Sequence, residues 1–227
     1  MIVDPVGSCA RFAPVDDALL DRVADGVTVA TWGTRGFDHP GGATAFVLAA
    51  AAAQVRVAHG VHPIPAHGFA VLPDRARIVG GRGLIVLVDR HRGLFGVGGP
   101  VEPTGRLRYI DGARDTVLVA PVVRGAPCLN LLHLPASTVQ TDHDHPSVRV
   151  GLVVSGSGTC LLAGRTEALR QGTVFVLPAG AVHRFETPAD DGLRLMAWHP
   201  DSDTGPTDDD HPMLNRTLQP GTGLRVR

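Results

Sequence analysis

The sequence contains no lysine, so all 21 of its basic residues are arginine. Without a lysine amine the chain cannot form a Schiff base, anchor pyridoxal phosphate or supply the lysine of a phosphate-binding P-loop. The basic side chains are matched by 22 acidic ones, which leaves a net charge of -1. We therefore predict no basic surface for nucleic acid or for an anionic membrane.

Long apolar runs are also missing. The longest, residues 45–53, is far shorter than the ~20 residues that a membrane-spanning helix requires. The N-terminal residues lack the basic start and apolar core of a secretion signal. Cys9, Cys128 and Cys160 are odd in number and widely separated, which fits neither a disulfide framework nor a zinc site. These features predict a cytoplasmic protein.

Glycine and proline are abundant, at 28 and 18 residues, and they separate short stretches rich in Val, Leu, Ile and Thr. This pattern is typical of an all-β chain, and its spacing suits a sandwich or barrel of short antiparallel strands. The predicted strands are residues 27–31, 83–88, 115–123, 129–134, 148–154, 173–177 and 193–198.

One short N-terminal helix is predicted, over residues 15–24, because Asp16 and Asp17 favour the positive end of a helix. Residues 49–53 are all alanine, and alanine has the highest helix propensity. The internal repeat described next places this tract in a strand instead. We give the repeat more weight, since propensity is a weak signal.

Two segments of the chain resemble each other. Asp38-His39 aligns with Asp142-His143. The segment 68–73 aligns with 172–178 after one deletion, and both segments begin with glycine and end in Val-Leu-Pro. Each match is weak alone, but the order and spacing are shared. The repeat predicts an N-terminal domain over residues 1–112, a C-terminal domain over residues 113–200, and an extension over residues 201–227.

The second copy carries a group of histidines. In an extended strand His143 and His145 point to the same side. His183 follows a Pro-Ala-Gly turn and enters a new strand, which can bring a third imidazole to the same point. Imidazole binds Fe, Zn, Cu and Ni, and three histidines with open coordination positions are typical of a catalytic metal site.

These residues resemble the two motifs of the cupin family. Gly172-x5-Pro178-x-Gly180-x2-His183 matches the second motif, and His143-x-His145 with the downstream Gly156 matches the first. The resemblance is strong in the second half and extends to the first half through the repeat. It implies two tandem cupin barrels, that is, double-stranded β-helices or jelly rolls. It also implies one divalent metal held by the three histidines of the C-terminal barrel.

The first motif departs from the family pattern at its acidic ligand, where this chain has Arg149. Three neutral imidazoles leave the charge of about +2 on a divalent ion unneutralised, and an arginine adds to it. Such a pocket favours a small anionic substrate that binds the metal and Arg149 together. Arg149 is also the predicted catalytic residue, because its charge can stabilise negative charge that develops during the reaction. Alternatively, Arg149 is a solvated residue paired with Glu186 or Glu167.

Three further residues are candidates for the site. Phe185 follows His183 by two residues and is predicted to line the substrate pocket. Gln140 and Asp142 precede the histidine pair and are candidates for orienting an imidazole.

The first copy of the repeat lacks most of the residues predicted to form the metal site. Its aligned residues are His39, Gly41, Ala45 and Ile78, in place of His143, His145, Arg149 and His183. One imidazole cannot hold a catalytic metal, so the N-terminal barrel is predicted to be metal-free.

The predicted function is a mononuclear metal-dependent enzyme acting on a small anionic substrate. Fe(II) with O2 is favoured, because cupins with three-histidine iron sites include thiol and diketone-cleaving dioxygenases; Zn(II), Ni(II) and Mn(II) are alternatives. A second hypothesis is a redox-silent Zn(II) isomerase, cyclase or lyase, or a cupin partner in nitrogen–nitrogen bond formation in natural-product biosynthesis. A third is a small-molecule-binding cupin without catalysis. No organic cofactor is predicted, and a homodimer is left open.

Overall fold

The computed structural model describes residues 10–16 and 19–211, and within them the chain is all-β apart from one short 3-10 turn at Ile110–Gly112. The strands are β1 (Arg11–Pro14), β2 (Leu20–Ala24), β3 (Val27–Trp32), β4 (Phe37–His39), β5 (Ala43–Ala51), β6 (Ala53–Val57), β7 (Gly60–Ile64), β8 (Phe69–Leu72), β9 (Ala76–Val79), β10 (Arg82–Asp89), β11 (Gly96–Gly98), β12 (Leu107–Arg108), β13 (Arg114–Val119), β14 (Cys128–Leu134), β15 (Arg149–Leu162), β16 (Arg165–Arg170), β17 (Thr173–Leu177), β18 (His183–Glu186) and β19 (Leu193–His199). The predicted fold class is confirmed at the level of all-β.

The strands form three sheets. Six strands, β2, β3, β5, β8, β10 and β11, make one sheet, and β4, β6, β7 and β9 make a second. The nine remaining strands form the third, in which the long strand β15 also pairs with β16 and β18. None of these sheets closes on itself within the described residues, so the prediction of closed tandem barrels is not confirmed.

Three clusters of buried apolar side chains lie between these layers. One fills the space between the six- and four-stranded sheets, and another lies inside the curved nine-stranded sheet. The third joins the two halves of the chain, where Phe46 packs against Trp198 with 5.8 Å between ring centroids. The two halves therefore share a core, and burial of its apolar surface favours their association.

The predicted N-terminal helix is wrong in the described part of residues 15–24. Leu20–Ala24 is a strand that pairs antiparallel with β3, and Val23 is buried in the shared core. Pairing with β3 satisfies the backbone groups of Leu20–Ala24 that face that strand, whereas an isolated helix of this length is marginal. Asp17 and Ala18 lie outside the described residues. The alanine tract is extended, as the repeat predicted, since it spans the end of β5 and the start of β6.

The two halves carry the same strand register at the aligned positions. Ala45 pairs with Leu72 in the first half, and Arg149 pairs with Leu177 in the second. The register also corrects one assignment. His143 faces His183 across an antiparallel bridge, whereas His39 faces Ala76.

The residue equivalent to His183 is therefore Ala76 and not Ile78. The connection after Pro73 is shorter than the one after Pro178, so counting along the sequence placed the position two residues too late. Both residues are apolar, and neither can hold a metal.

The N-terminal segment pairs with the other half of the chain. Strand β1 adds to the nine-stranded sheet beside β17, and the amide of Val15 donates to the carbonyl of Gly172 at 2.8 Å. Residues 201–206 follow β19 and bond the segment before β14, where the amide of Gly125 donates to the carbonyl of Ser202 at 2.8 Å. Among the described residues no helix has the length and apolar character needed to cross a membrane.

Candidate metal centre

Two of the candidate metal ligands are fixed side by side by backbone pairing. The amide of His143 donates to the carbonyl of His183 at 3.0 Å, and the amide of His183 donates to the carbonyl of His143 at 2.8 Å. The carbonyl of His145 accepts from the amide of Gly180 at 2.8 Å. The turn before β18 is thus hydrogen-bonded to the segment that carries the first two histidines.

The three imidazoles meet. One ring nitrogen from each of His143, His145 and His183 lies within 4.8 Å of the others, a group that could hold a metal ion. The Nδ1 atoms of His143 and His183 each lie 2.8 Å from a backbone carbonyl oxygen, those of Thr141 and Ala181 respectively. Because a carbonyl oxygen only accepts, each Nδ1 carries the proton and each Nε2 keeps its lone pair for a metal. This donor set fits the first-row transition ions that prefer imidazole.

Burial favours the neutral form of His145 and His183. The pKa of His145 is lowered to about 3, chiefly by burial and also by the Arg149 cation and the neighbouring imidazoles. Burial also lowers the pKa of His183. A ring with a lowered pKa is neutral at pH 7 and keeps one nitrogen unprotonated, so protons do not compete with a metal ion for that nitrogen.

A second support holds the loop before His143. The Oδ2 atom of Asp111 accepts from the Thr141 amide at 2.7 Å, and its Oδ1 accepts from the Thr141 hydroxyl at 3.2 Å. Asp111 has a φ of 53°, in the left-handed region that few residues other than glycine adopt. Asp111 therefore acts on the histidine cluster through Thr141, whose carbonyl accepts from His143. No local sequence pattern indicated this contact across the turn.

The histidines open into a cavity of about 330 Å³, within the range of small-molecule sites. Its lining comes from strands β12 to β15, β17 to β19, and the loop that carries His143. The other lining residues are Leu107, Arg108, Tyr109, Asp115, Asn130, Leu132, Gln140, Arg149, Phe175, Leu177, Phe185, Leu195, Ala197 and His199.

Arg149 lines this cavity, and its side chain is only 16% exposed. Its Nη1 donates to the Ser147 hydroxyl at 2.6 Å and to the Ser147 carbonyl at 3.2 Å. The carboxylate of Asp201 lies 3.9 Å away. The alternative partners considered from sequence, Glu186 and Glu167, form ion pairs with other arginines. Arg149 is therefore a cation at the cavity wall whose side chain is fixed by Ser147.

Phe185 and Gln140 also lie in the cavity wall, and Asp142 does not. Phe185 packs edge-on against His183, with 5.6 Å between ring centroids. The Oε1 atom of Gln140 accepts from the Phe185 amide at 3.2 Å, so this side chain fixes β18 and contacts no imidazole through that oxygen. Asp142 pairs with Arg184 at 2.9 Å, because neighbouring residues of an extended segment point to opposite sides.

Five polar cavity residues are absent from the sequence prediction: Arg108, Tyr109, Asp115, Asn130 and His199. Asn130 could have been found, since alternate residues of the predicted strand 129–134 share a face with it. Tyr109 lies in a loop without a recognisable pattern. Burial raises the pKa of Asp115 to about 6 and also raises the pKa of Tyr109.

Comparison with known families and proteins agrees with this geometry. Residues 128–204 match the family of AraC-like ligand-binding domains, and this segment includes all three histidines. The search of curated proteins found no match to this sequence.

Solved structures resemble most of the chain at low sequence identity. A cupin 2 conserved barrel domain protein from Leptotrichia buccalis has a TM-score of 0.59 and 12% identity, covering 88% of this chain and 93% of its own. Salicylate 1,2-dioxygenase from Pseudoaminobacter salicylatoxidans, with gentisate adducts, has a TM-score of 0.59 and 11% identity, covering 87% of this chain and 76% of its own. Oxalate decarboxylase from Lactobacillus farciminis, as a formate complex, has a TM-score of 0.54 and 13% identity, covering 86% of this chain and 87% of its own. Together with the histidine geometry, these similarities establish that the chain has the cupin fold.

Proposed function

We propose that this protein is a mononuclear metal-dependent cupin enzyme that acts on a small anionic substrate. One observation carries the proposal. The ring nitrogens of His143, His145 and His183 lie within 4.8 Å of one another at the wall of a cavity that Arg149 also lines. Three protein ligands leave coordination positions free for a substrate, which is the arrangement of catalytic rather than structural metal sites.

The side chains around the cavity have distinct roles in this proposal. The three histidines would hold the ion, with the Nε2 atoms of His143 and His183 left free by their Nδ1 hydrogen bonds. A divalent ion there would act as a Lewis acid and, as Fe(II), would support reaction with O2. Arg149, fixed by Ser147, orients a carboxylate, enolate or thiolate of the substrate. Phe185 and its apolar neighbours exclude water, which strengthens the interactions of the charged groups.

Fe(II) with O2 is the favoured chemistry. The similar fold of a salicylate dioxygenase supports it, as does a donor set without a carboxylate. The test is to reconstitute the full chain with Fe(II) and to follow O2 consumption with panels of small acids, thiols and diketones. We expect consumption with at least one panel, lost in His183→Ala. In Arg149→Ala we expect metal to be retained and the KM of that substrate to rise.

Lack of O2 consumption across the panels, together with tight binding of Zn(II), would contradict the Fe(II) proposal. It would favour the redox-silent alternative, an isomerase, cyclase, lyase or partner in nitrogen–nitrogen bond formation.

A ligand-binding cupin without catalysis is the second candidate function, favoured by the match to AraC-like ligand-binding domains. In that case no panel compound is turned over, but a ligand stabilises the native state by ~2 kcal/mol or more at saturation. Thermal unfolding with and without each compound distinguishes the two functions.

The proposal retains the domain division at residues 1–112, 113–200 and 201–227, with a metal-free N-terminal domain. The separate six- and four-stranded sheets of the first half support it. A homodimer and a cytoplasmic location remain predictions from the sequence. Met213 and Leu214, which could anchor the extension, lie outside the described residues.

A further inference from the structure

Asp115 is a carboxyl group on an otherwise apolar row of the cavity wall. Across neighbouring antiparallel strands it pairs with Leu107 on one side and with Leu132 on the other, and Leu132 pairs in turn with Leu195. Directly opposite residues in antiparallel strands point to the same face of a sheet. All four side chains line the cavity, so the carboxyl faces its interior between leucines.

This carboxyl has no hydrogen bond or ion pair with any residue in the part of the chain that the structure describes. Two other polar side chains of the cavity do have partners, since Arg149 donates to Ser147 and the Asn130 amide lies 3.5 Å from Nε2 of His199. Burial of an unpaired carboxyl costs free energy, and here it raises the pKa to about 6. The group is still mostly ionised at pH 7.5, so the cavity wall carries a negative charge that no described residue pairs.

Asp115 and Arg149 lie on different strands of the cavity wall. Asp115 is on β13 and Arg149 on β15, and β14 and β19 lie between them in the sheet. Three strand spacings of ~4.8 Å correspond to roughly 14 Å measured along the curved sheet. The histidine cluster pairs by backbone with β18, which lies beside β15, and Arg149 lowers the pKa of His145. The cavity wall therefore has Arg149 and the histidine cluster on β15, β18 and the loop before them, and the Asp115 carboxyl on β13, with the Arg108 guanidinium on the adjacent strand β12.

We propose that Asp115 binds a protonated amine of the substrate, so that the substrates of this site are small zwitterions. Their anionic group binds at the histidine cluster and Arg149, and their ammonium group lies several bonds away. The inference rests on the proposed function for the anionic end and adds the requirement at the opposite end. A monoanion would leave Asp115 unpaired, and a dianion would place a second negative charge beside it.

The test uses the full chain loaded with Zn(II), which has no redox chemistry. Three series of two to eight carbons are compared by calorimetry: ω-amino acids, unbranched alkanoates and α,ω-dicarboxylates. At the optimal length we expect the ω-amino acid to bind about tenfold more tightly than the matched alkanoate, as for one charge-assisted hydrogen bond. The dicarboxylate is expected to bind more weakly than the alkanoate.

Asp115→Asn keeps the side-chain shape and removes the charge, so it should abolish both differences while alkanoate binding persists. Asp25→Asn is the matched control, because Asp25 is fully exposed and pairs only with Arg22. It should leave all three series unchanged.

Equal binding of ω-amino acids and alkanoates by the unaltered chain would overturn the inference about Asp115 and leave the proposed function standing. Binding of Zn(II) but of no carboxylate at any length would overturn both. The comparison within the unaltered chain requires no variant, so misfolding of Asp115→Asn cannot obscure the result.

Discussion

The two halves of this protein place different side chains on the same strand pairings. In the C-terminal half the antiparallel bridge joins His143 to His183, and Arg149 faces Leu177. In the N-terminal half the equivalent pairings are His39 with Ala76 and Ala45 with Leu72. A few substitutions on a shared backbone therefore separate a candidate metal centre from a packed interior.

The interiors of the two halves differ in how closely their side chains pack. Trp32 and its apolar neighbours fill the space between the sheets of the N-terminal half, and the Trp32 indole donates to the Gly80 carbonyl at 3.0 Å. His39 is buried there, with its Nε2 3.0 Å from the Ala43 carbonyl oxygen. In the C-terminal half the corresponding space holds an open cavity with an unpaired carboxyl. One half is organised for stability and the other for binding.

The comparison predicts its largest effect for metal binding. His183→Ala should weaken Zn(II) binding by more than ~100-fold, since the loss of a ligand exceeds the loss of an outer partner. His39→Ala should leave the affinity unchanged. Competition titration against a chelator measures both, and equal losses in the two variants would contradict the difference between the halves.

The next effect concerns stability. Trp32→Ala should lower the free energy of unfolding by ~3–5 kcal/mol, because it leaves a cavity in a packed core. Phe185→Ala should cost less, since one side of that ring already faces an open space. Urea unfolding of the apo-protein gives both values, and a larger loss for Phe185→Ala would show that the comparison is wrong.

A smaller effect is expected from the support behind His143. Asp111→Ala removes both bonds to Thr141 and should weaken Zn(II) binding about tenfold, the lower limit for partners of metal ligands. Asp142→Ala is the control, because Asp142 is adjacent to His143 but pairs with Arg184. The same titration applies, and an equal effect of the two substitutions would rule out a positioning role for Asp111.

The smallest predicted effect is the change in the free energy of unfolding when Asp115 loses its charge. Its pKa of about 6 lies above the 3.8 of an unperturbed aspartate, so the native state favours the protonated form. That preference is fully present below pH 4, and it is lost as pH rises through 6. Asp115→Asn should therefore stabilise the apo-protein by about 1 kcal/mol at pH 8 and by less at pH 4, given the partial exposure of the carboxyl. A gain independent of pH, measured by urea unfolding, would contradict this account.

The histidines could be predicted from sequence because their spacing follows the alternation of a strand and a short turn. Arg149 was found because a motif position is unusual in charge. Asp111 and Asp115 could not be found in this way, since their roles depend on contacts with residues distant in sequence. The N-terminal helix was mispredicted because local acidic residues suggested a helix start, whereas pairing with β3 determined the structure of Leu20–Ala24.

X-ray absorption spectroscopy of the Zn(II)-loaded full chain tests the central claim most directly. We expect a first shell of nitrogen and oxygen with three imidazole ligands per ion, falling to two in His183→Ala if the weakened site is saturated. A spectrum with one imidazole or none, or with a sulfur shell from Cys128 or Cys160, would contradict the assignment of the metal centre.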